Sequence, residues 1–313
     1  MVLDKASFSL DAGDWEPPLE ILRIDNIVRE RLSLPLKGEA YRQPWAVLQE
    51  ERAAKATLGL RYNIVSEATS SSLQLALELA PGTEIKLDGV IVPTETKGWW
   101  VDEDISLLDL PDEMTPGRHV LEVTLPFGIL TNLERMYLLG QFAVEVYGGD
   151  CSLKNLDLSR IRFGSWVNQG LPFYAGNVTY ACKFTCATQE GQSSILHIPQ
   201  FAGPVLAVFL DGVRVGTVAF QPRVVDFGVL KYGQEYELKI ICYGNRENSF
   251  GTLHMPDGVS RWFAPNAWRT EHDWWMEGYN VKPMGILTGP IIKSPGKESW
   301  KLLPNPERLW TCC

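Results

Sequence analysis

The tetrapeptide Leu-Asp-Gly-Val occurs twice, at Leu87, Asp88, Gly89, Val90 and at Leu210, Asp211, Gly212, Val213, each time between two runs of alternating apolar residues. Asp-Gly in that setting signals a two-residue β-hairpin, because both turn positions need positive φ. The surroundings repeat as well. The first copy runs SLQLALELAPGTEIKLDGVIV, then PGRHVLEVTLPFG, and ends LLGQFAVEV; the second runs SSILHIPQFAGPVLAVFLDGVRV, then VVDFGVLKYGQEYELKIICYGN, and ends LTGPIIKS. Each copy also places a glycine, Gly117 or Gly233, just before an alternating strand. A repeat of this kind restricts the chain to two related β-units.

Other alternating runs, such as VTYACKFTC, are also bounded by glycine and proline turns, the pattern of a sandwich or barrel. The expected fold is all-β: two tandem antiparallel jelly-roll sandwiches with an N-terminal arm. The expected boundaries are 1–50 for the arm, 51–150 and 151–303 for the sandwiches, and 304–313 for a tail. Trp15, Tyr41 and Trp45 would anchor the arm on the first sandwich, and the stretch WAVLQEERAAKA after Pro44 is the best helix candidate.

Residues 244–279 break the strand pattern. They hold four of the eleven tryptophans, two of the four histidines, three arginines and five carboxylates, with a period of neither 2 nor 3.6. Long loops inside compact domains are usually functional or disordered, and four tryptophans argue against disorder. Flat aromatic faces beside arginine forks and carboxylates suit a sugar: rings stack on C–H faces while charged groups bond hydroxyls. The competing expectation is a small core beneath the loop with internally paired arginines.

The formal charge of −9 disfavours binding nucleic acid or an anionic membrane through bulk electrostatics. No run approaches a membrane span, and the first residues lack a signal-peptide pattern, so a cytoplasmic protein is expected. The six cysteines match no zinc knuckle, no CxxC and no dense disulfide frame. Cys182 and Cys186 lie about 13 Å apart if extended, too far for one bridge. No GxSxG, GxxxxGK[ST] or GxGxxG motif is present, and no cofactor is expected.

The stretches GWWVDEDI with LERMYLLGQFAVEV, and GSWVNQGLPFYAGNVTY with GNRENSFGTLH, resemble the C-terminal galactose-binding-like sandwiches of large bacterial glycoside hydrolases grouped with α-L-rhamnosidases. The resemblance covers nearly the whole chain. It implies the accessory part of such an enzyme without its catalytic barrel, because the sequence opens on the linker-like VLDKASFSLDAGDW. The implied function is a non-catalytic carbohydrate-binding or scaffolding module whose partners are a carbohydrate, a glycosidase catalytic domain or a second copy of the chain.

In that reading Trp262, Trp268 and Trp274 stack on the ligand, while Arg246, Asn248, His254 and Arg269 exchange hydrogen bonds with it. One alternative is a stand-alone glycosidase using Glu271, Asp273 and Glu277, whose burial against tryptophan would raise a carboxyl pKa toward the range of an acid catalyst. Another is a structural module that binds protein. Asp102, Glu103 and Asp104 could offer oxygens to calcium, against the commoner role of a solvated acidic turn. Trp99 and Trp100 in a strand would face opposite ways, one ring inward and one outward. His119 and His197 have no metal-ligand spacing.

Overall fold

The computed structural model describes residues 1–36, 45, 47–110, 113–257, 270–293, 301–306 and 308–312. The chain divides into two compact units, Met1–Asn155 with His254–Asn280, and Leu156–Leu253 with Val281–Cys313. Each is a β-sandwich of mostly antiparallel strands, so the chain is all-β in class.

In the first unit one sheet carries, in order, Ala143–Tyr147, Asp150–Lys154, Ala56–Ser66, Gly117–Phe127, Glu84–Leu87 and Val90–Val92. The facing sheet runs Val2–Leu3, Met136–Leu139, Gln74–Glu78, Asp102–Asp109 and Trp99–Trp100. Leu60, Tyr62, Val123 and Leu125 from the first sheet and Leu77 and Met136 from the second line one cavity of ≈ 30 Å³. The sheets therefore pack face to face. The long central ladder pairs Ala56 with Phe127 through to Ser66 with Gly117, and its inward residues Leu58, Leu60, Tyr62, Ile64, Leu121, Val123 and Phe127 are buried. One pair in the sheet is parallel: Ser152 and Leu153 lie beside Val65 and Ser66.

The second unit repeats the plan. Its sheet order Val213–Val218, Leu206–Leu210, Glu235–Cys242, Asn177–Thr185 matches Val90–Val92, Glu84–Leu87, Gly117–Phe127, Ala56–Ser66. Opposite, Val224–Val229, Ser193–His197, Ile291–Lys293 match Asp102–Asp109, Gln74–Glu78, Met136–Leu139. Trp166, Tyr180, Leu196, Val208, Val225 and Ile240 join both sheets in one core. The repeat's end is corrected by this match. Ile291–Lys293 takes the place of Met136–Leu139, whereas Ala143–Tyr147 pairs with Asp150–Lys154 in the other sheet.

Both Asp-Gly turns are two-residue hairpins with positive φ: Asp88 50° and Gly89 80°, Asp211 47° and Gly212 79°. Each aspartate also bonds the neighbouring strand. Asp88 Oδ1 accepts from Val120 N at 2.8 Å while its own N donates to Val120 O at 2.9 Å. Asp211 does the same with Glu237, at 2.8 and 2.9 Å. The repeated aspartate thus sets the turn and ties its hairpin to the next strand. Only the first copy adds His119, whose Nδ1 lies 2.6 Å from Asp88 Oδ2 and whose Nε2 lies 2.7 Å from Thr115 O.

The first residues form more structure than an arm. Lys5–Leu10 pairs with Ala56–Ser66 inside the large sheet, and Glu16–Glu20 pairs with Lys5–Leu10. An α-helix, Ile21–Arg31, follows, with Ile21, Ile24 and Val28 buried along one stripe and Glu20 accepting from Leu22 N at 2.8 Å as its N-cap. Inside it, Arg29 pairs with Asp25 at 2.8 Å with both side chains buried, and Arg29 also donates to Thr131 O at 2.7 Å. Among the described residues of WAVLQEERAAKA no α-helix forms. Gln49–Glu51 make one 3-10 turn, and Ala56 already belongs to the long strand. Residues 49–55 are all exposed, so good helix formers there have no apolar stripe to bury, and propensity alone does not hold a short helix.

Replacing Asp88 or Asp211 by alanine should lower the melting temperature, each costing about 1–2 kcal/mol for a lost bond to a backbone N–H and a strained left-handed residue. Asparagine, which keeps the acceptor and tolerates that φ, should restore most of the loss. Equal melting of the alanine and asparagine variants would contradict this role.

Candidate functional site

The aromatic stretch at 244–279 is shared between the two units. Its first part, to Leu253, belongs to the second unit, and His254–Asn280 belongs to the first. In the second unit Glu247–Phe250 makes one helical turn. Asn248 is buried there, with its amide clamped to Lys282: Nδ2 donates to Lys282 O at 2.8 Å and Oδ1 accepts from Lys282 N at 2.7 Å. Arg246 is exposed, and its carbonyl accepts from Phe250 N at 2.8 Å.

In the first unit the described ends of the returning stretch are tied to the framework. Met276 N donates to His254 O at 2.8 Å, so residues 254 and 276 are bonded directly. Tyr279 N donates to Gly148 O at 3.1 Å, and a Cβ at Gly149 would collide with the Glu277 carbonyl, so the 148–149 turn must be small for the stretch to lie there. From the helix, Arg23 Nε donates to Thr270 O at 2.9 Å and Nη1 to Glu277 Oε1 at 3.1 Å, and the guanidinium lies 4.2 Å from the Trp275 ring centre. Trp275 Nε1 donates to the same Glu277 oxygen at 3.0 Å, and the His254 ring stacks on Trp275 with centroids 4.5 Å apart.

At the base of this arrangement is Asp4, buried where the chain leaves Val2–Leu3 in one sheet and enters Lys5–Leu10 in the other. Tyr279 OH donates to Asp4 Oδ1 at 2.6 Å, His254 Nε2 lies 3.2 Å from Asp4 Oδ2, and Ile21 N donates to Asp4 O at 2.8 Å. Burial alone would push the Asp4 carboxyl up. The His254 hydrogen bond, the charges of Arg135 and His254 and the Tyr279 hydroxyl outweigh it and hold the carboxyl below its ordinary range. Glu20 goes the other way: burial, opposed by Arg135 and reinforced by the charge of Asp4, raises it to about 7. Among the described residues, Glu20 Oε1 and Tyr62 OH are buried without a hydrogen-bond partner.

The sequence-predicted residues fall into three groups. His254 and Asn248 are buried and bonded to protein groups, whereas Trp274 is half-buried in the 3-10 turn His272–Trp274. Trp262, Trp268 and Arg269 lie outside the described residues. Glu271 and Asp273 are exposed; Glu277 is held below its usual range by the Trp275 indole N–H and by Arg23, opposite to what an acid catalyst requires. Glu20, whose carboxyl is shifted to near neutrality, caps a helix and does not line the described cavity.

Asp102, Glu103 and Asp104 are exposed, with Asp104 N donating to Asp102 Oδ1 at 3.1 Å. Among the described residues no group of three or more His, Cys, Asp or Glu could hold a metal ion. Beside them Trp99 is 57% exposed while Trp100 packs on Tyr137 at 4.8 Å, the alternation expected of a strand. Asp4, Glu20, Arg23 and Arg135 do not stand out from the sequence pattern. The readable signal is Asp4 inside the otherwise apolar opening MVLDKASF, where a carboxylate flanked by inward residues needs partners.

No protein-family model matches the sequence, and no curated protein matches it. Solved structures show distant similarity. A rhamnosidase from Novosphingobium sp. PP1Y aligns at TM-score 0.28 and 18% identity, over 74% of this chain and 22% of its own. An anti-sigma factor domain-containing protein aligns at TM-score 0.24 and 11% identity over 97% of both chains. A β-D-mannosidase from Dictyoglomus thermophilum aligns at TM-score 0.30 and 11% identity, over 83% of this chain and 32% of its own. The chain thus spans a third or less of the two glycosidases, and similarity at this level does not assign an activity.

The ionised form of Glu20 should cost stability. A group whose folded pKa is raised contributes fully below its unfolded value and loses that contribution as pH rises through the folded value. Displacement from 4.5 to about 7 corresponds to roughly 3 kcal/mol at the upper end. Glu20→Gln, which keeps an acceptor for Leu22 N, should therefore gain stability over the native protein between pH 5 and 8 in thermal unfolding. A pH-independent difference would contradict the assignment.

Proposed function

We propose that the chain is a non-catalytic carbohydrate-binding or scaffolding module, with ligand contact on the His254–Asn280 stretch. The observation that supports it best is the double anchoring of that stretch. His254 and Thr270 are each bonded to the first sandwich, through Asp4 and Arg23. Residues 270–280, bonded to the first sandwich through Thr270, Glu277 and Tyr279, lose less conformational freedom on binding, which favours recognition of a weakly interacting ligand such as a sugar. Trp274 adds an aromatic face beside the exposed Glu271 and Asp273. Within this proposal His254 and Asn248 serve the framework, and Glu277 orients Arg23 and Trp275.

A second reading, a scaffold that binds protein or a second copy of the chain, is favoured by a different observation. In the second unit Phe220 is 85% exposed, and Val213, Val229 and Tyr232 are also exposed. No helix among the described residues is long and apolar enough to cross a membrane.

Titration with neutral mono- and oligosaccharides, followed by melting temperature and tryptophan fluorescence, separates the readings. A sugar that binds the native state at 100 times its Kd should stabilise it by about 2.7 kcal/mol. Trp268→Ala and Trp274→Ala should each abolish saturation while remaining folded. If no sugar shifts either signal and sedimentation shows concentration-dependent association that Phe220→Ser removes, the scaffold reading replaces the sugar one.

A further inference from the structure

The two Asp-Gly hairpins are tied to their sheets alike, but the residue just before each aspartate's strand partner differs. It is His119, before Val120, in the first copy and Tyr236, before Glu237, in the second. Tyr236 meets a donor: its hydroxyl accepts from Lys231 N at 3.0 Å. His119 lies between two acceptors, with Nδ1 2.6 Å from Asp88 Oδ2 and Nε2 2.7 Å from Thr115 O. A neutral imidazole has one N–H and one lone pair, so in that form one nitrogen would point its lone pair at an oxygen; the imidazolium donates to both. The His119 side chain is only 12% exposed, which limits the water that could replace either partner. We propose that protonated His119 pins the Asp88–Gly89 hairpin to the Thr115 turn of the first sandwich, and that loss of its proton loosens this hairpin and not its counterpart at Asp211–Gly212.

The elements around the ring leave Asp88 as the charge that acts on it. On the hairpin, Lys86 is turned to Glu84 at 2.6 Å. On the ring's own strand Arg118 alternates to the other face of the sheet, and Glu122 pairs with Arg61. The neighbouring strand places apolar Ile64 opposite His119, and Glu113, on the short strand before Thr115, is exposed. Burial alone would lower the His119 pKa. The hydrogen bond with Asp88, the Thr115 carbonyl and the Asp88 charge outweigh it and hold the imidazole above its ordinary 6.5. A group raised in this way stabilises the fold fully below its unfolded value, and that contribution fades as pH rises through the folded value. Loosening is therefore expected on the alkaline side of 6.5. The hairpin it frees ends in Val90–Val92, the last strand of its sheet, where Val90 and Ile91 are exposed, so the device acts on an apolar sheet edge.

The pin is independent of what the chain binds, so its test uses the full chain and no sugar. The Asp88 and Val120 amides, bonded to Val120 O and Asp88 Oδ1, report the first hairpin, and the Asp211 and Glu237 amides report the second. Hydrogen exchange, corrected for its intrinsic pH dependence, gives the ratio of first-hairpin to second-hairpin protection. That ratio should be constant in mild acid and then fall by up to about tenfold per pH unit between the unfolded and folded pKa of His119. His119→Gln, which cannot titrate, should abolish the fall. Asp88→Asn, which keeps the acceptor for Val120 N, should move the nitrogen-shift titration of His119 to lower pH. A ratio that stays flat from about pH 5 to 9 in the native protein would overturn the proposal. Should His119→Gln fail to fold, nitrogen chemical shifts of the native ring decide: a midpoint above that of a histidine in an unfolded peptide supports the pin, and a midpoint at or below it overturns it.

Discussion

A carboxylate at the corner between two sheets sets the terms for the first sandwich. Residues 2–3 pair in one sheet and residues 5–10 in the other, so Asp4 is placed inside the sandwich by the path of the backbone. A buried carboxylate without partners is expensive, and its strong partners are His254, Tyr279 and Arg135. Two of the three, His254 and Tyr279, lie 250 and 275 residues later in the chain. The first unit is therefore built from an early and a late segment, and the late one carries the aromatic and charged side chains that make this protein distinctive.

Much of the scaffold is legible in the sequence. The Leu-Asp-Gly-Val repeat locates two equivalent hairpins, and the equivalence extends to the second bond each aspartate makes, with Val120 and with Glu237. That bond is long-range and invisible in a pattern of turns and strands. The ends of the repeat misalign for a related reason: Ala143–Tyr147 and Ile291–Lys293 share the alternation of any half-buried strand, and alternation does not say which sheet a strand joins. The helix forms where an apolar stripe can be buried. ILRIDNIVRER has that stripe at Ile21, Ile24 and Val28, whereas the stretch after Pro44 has propensity without one.

The site is legible in its location more than in its roles. Residues 244–279 do break the strand pattern and do hold a dense set of rings and charges. Their pairing, however, runs to residues that look unremarkable in the sequence: Glu277 pairs with Arg23, and Trp275 contacts both Arg23 and His254. Side chains that suit a ligand equally suit a buried network, and only the fold decides between them, in this protein by bringing Asp4 and Arg23 against His254, Thr270, Glu277 and Tyr279. The same network explains why two nearby carboxyls diverge, Asp4 held low by donors and Glu20 raised by burial.

The dependence of the first sandwich on its late segment can be measured directly by comparing the fragment 1–155 with the same fragment joined through a flexible linker to residues 254–280. Cooperative thermal unfolding and dispersed amide spectra are expected only when residues 254–280 are present, because Asp4 and Glu20 otherwise face each other with Arg135 alone to offset them. A fragment 1–155 that folds cooperatively with an unchanged melting temperature would contradict the central role of the Asp4 clasp.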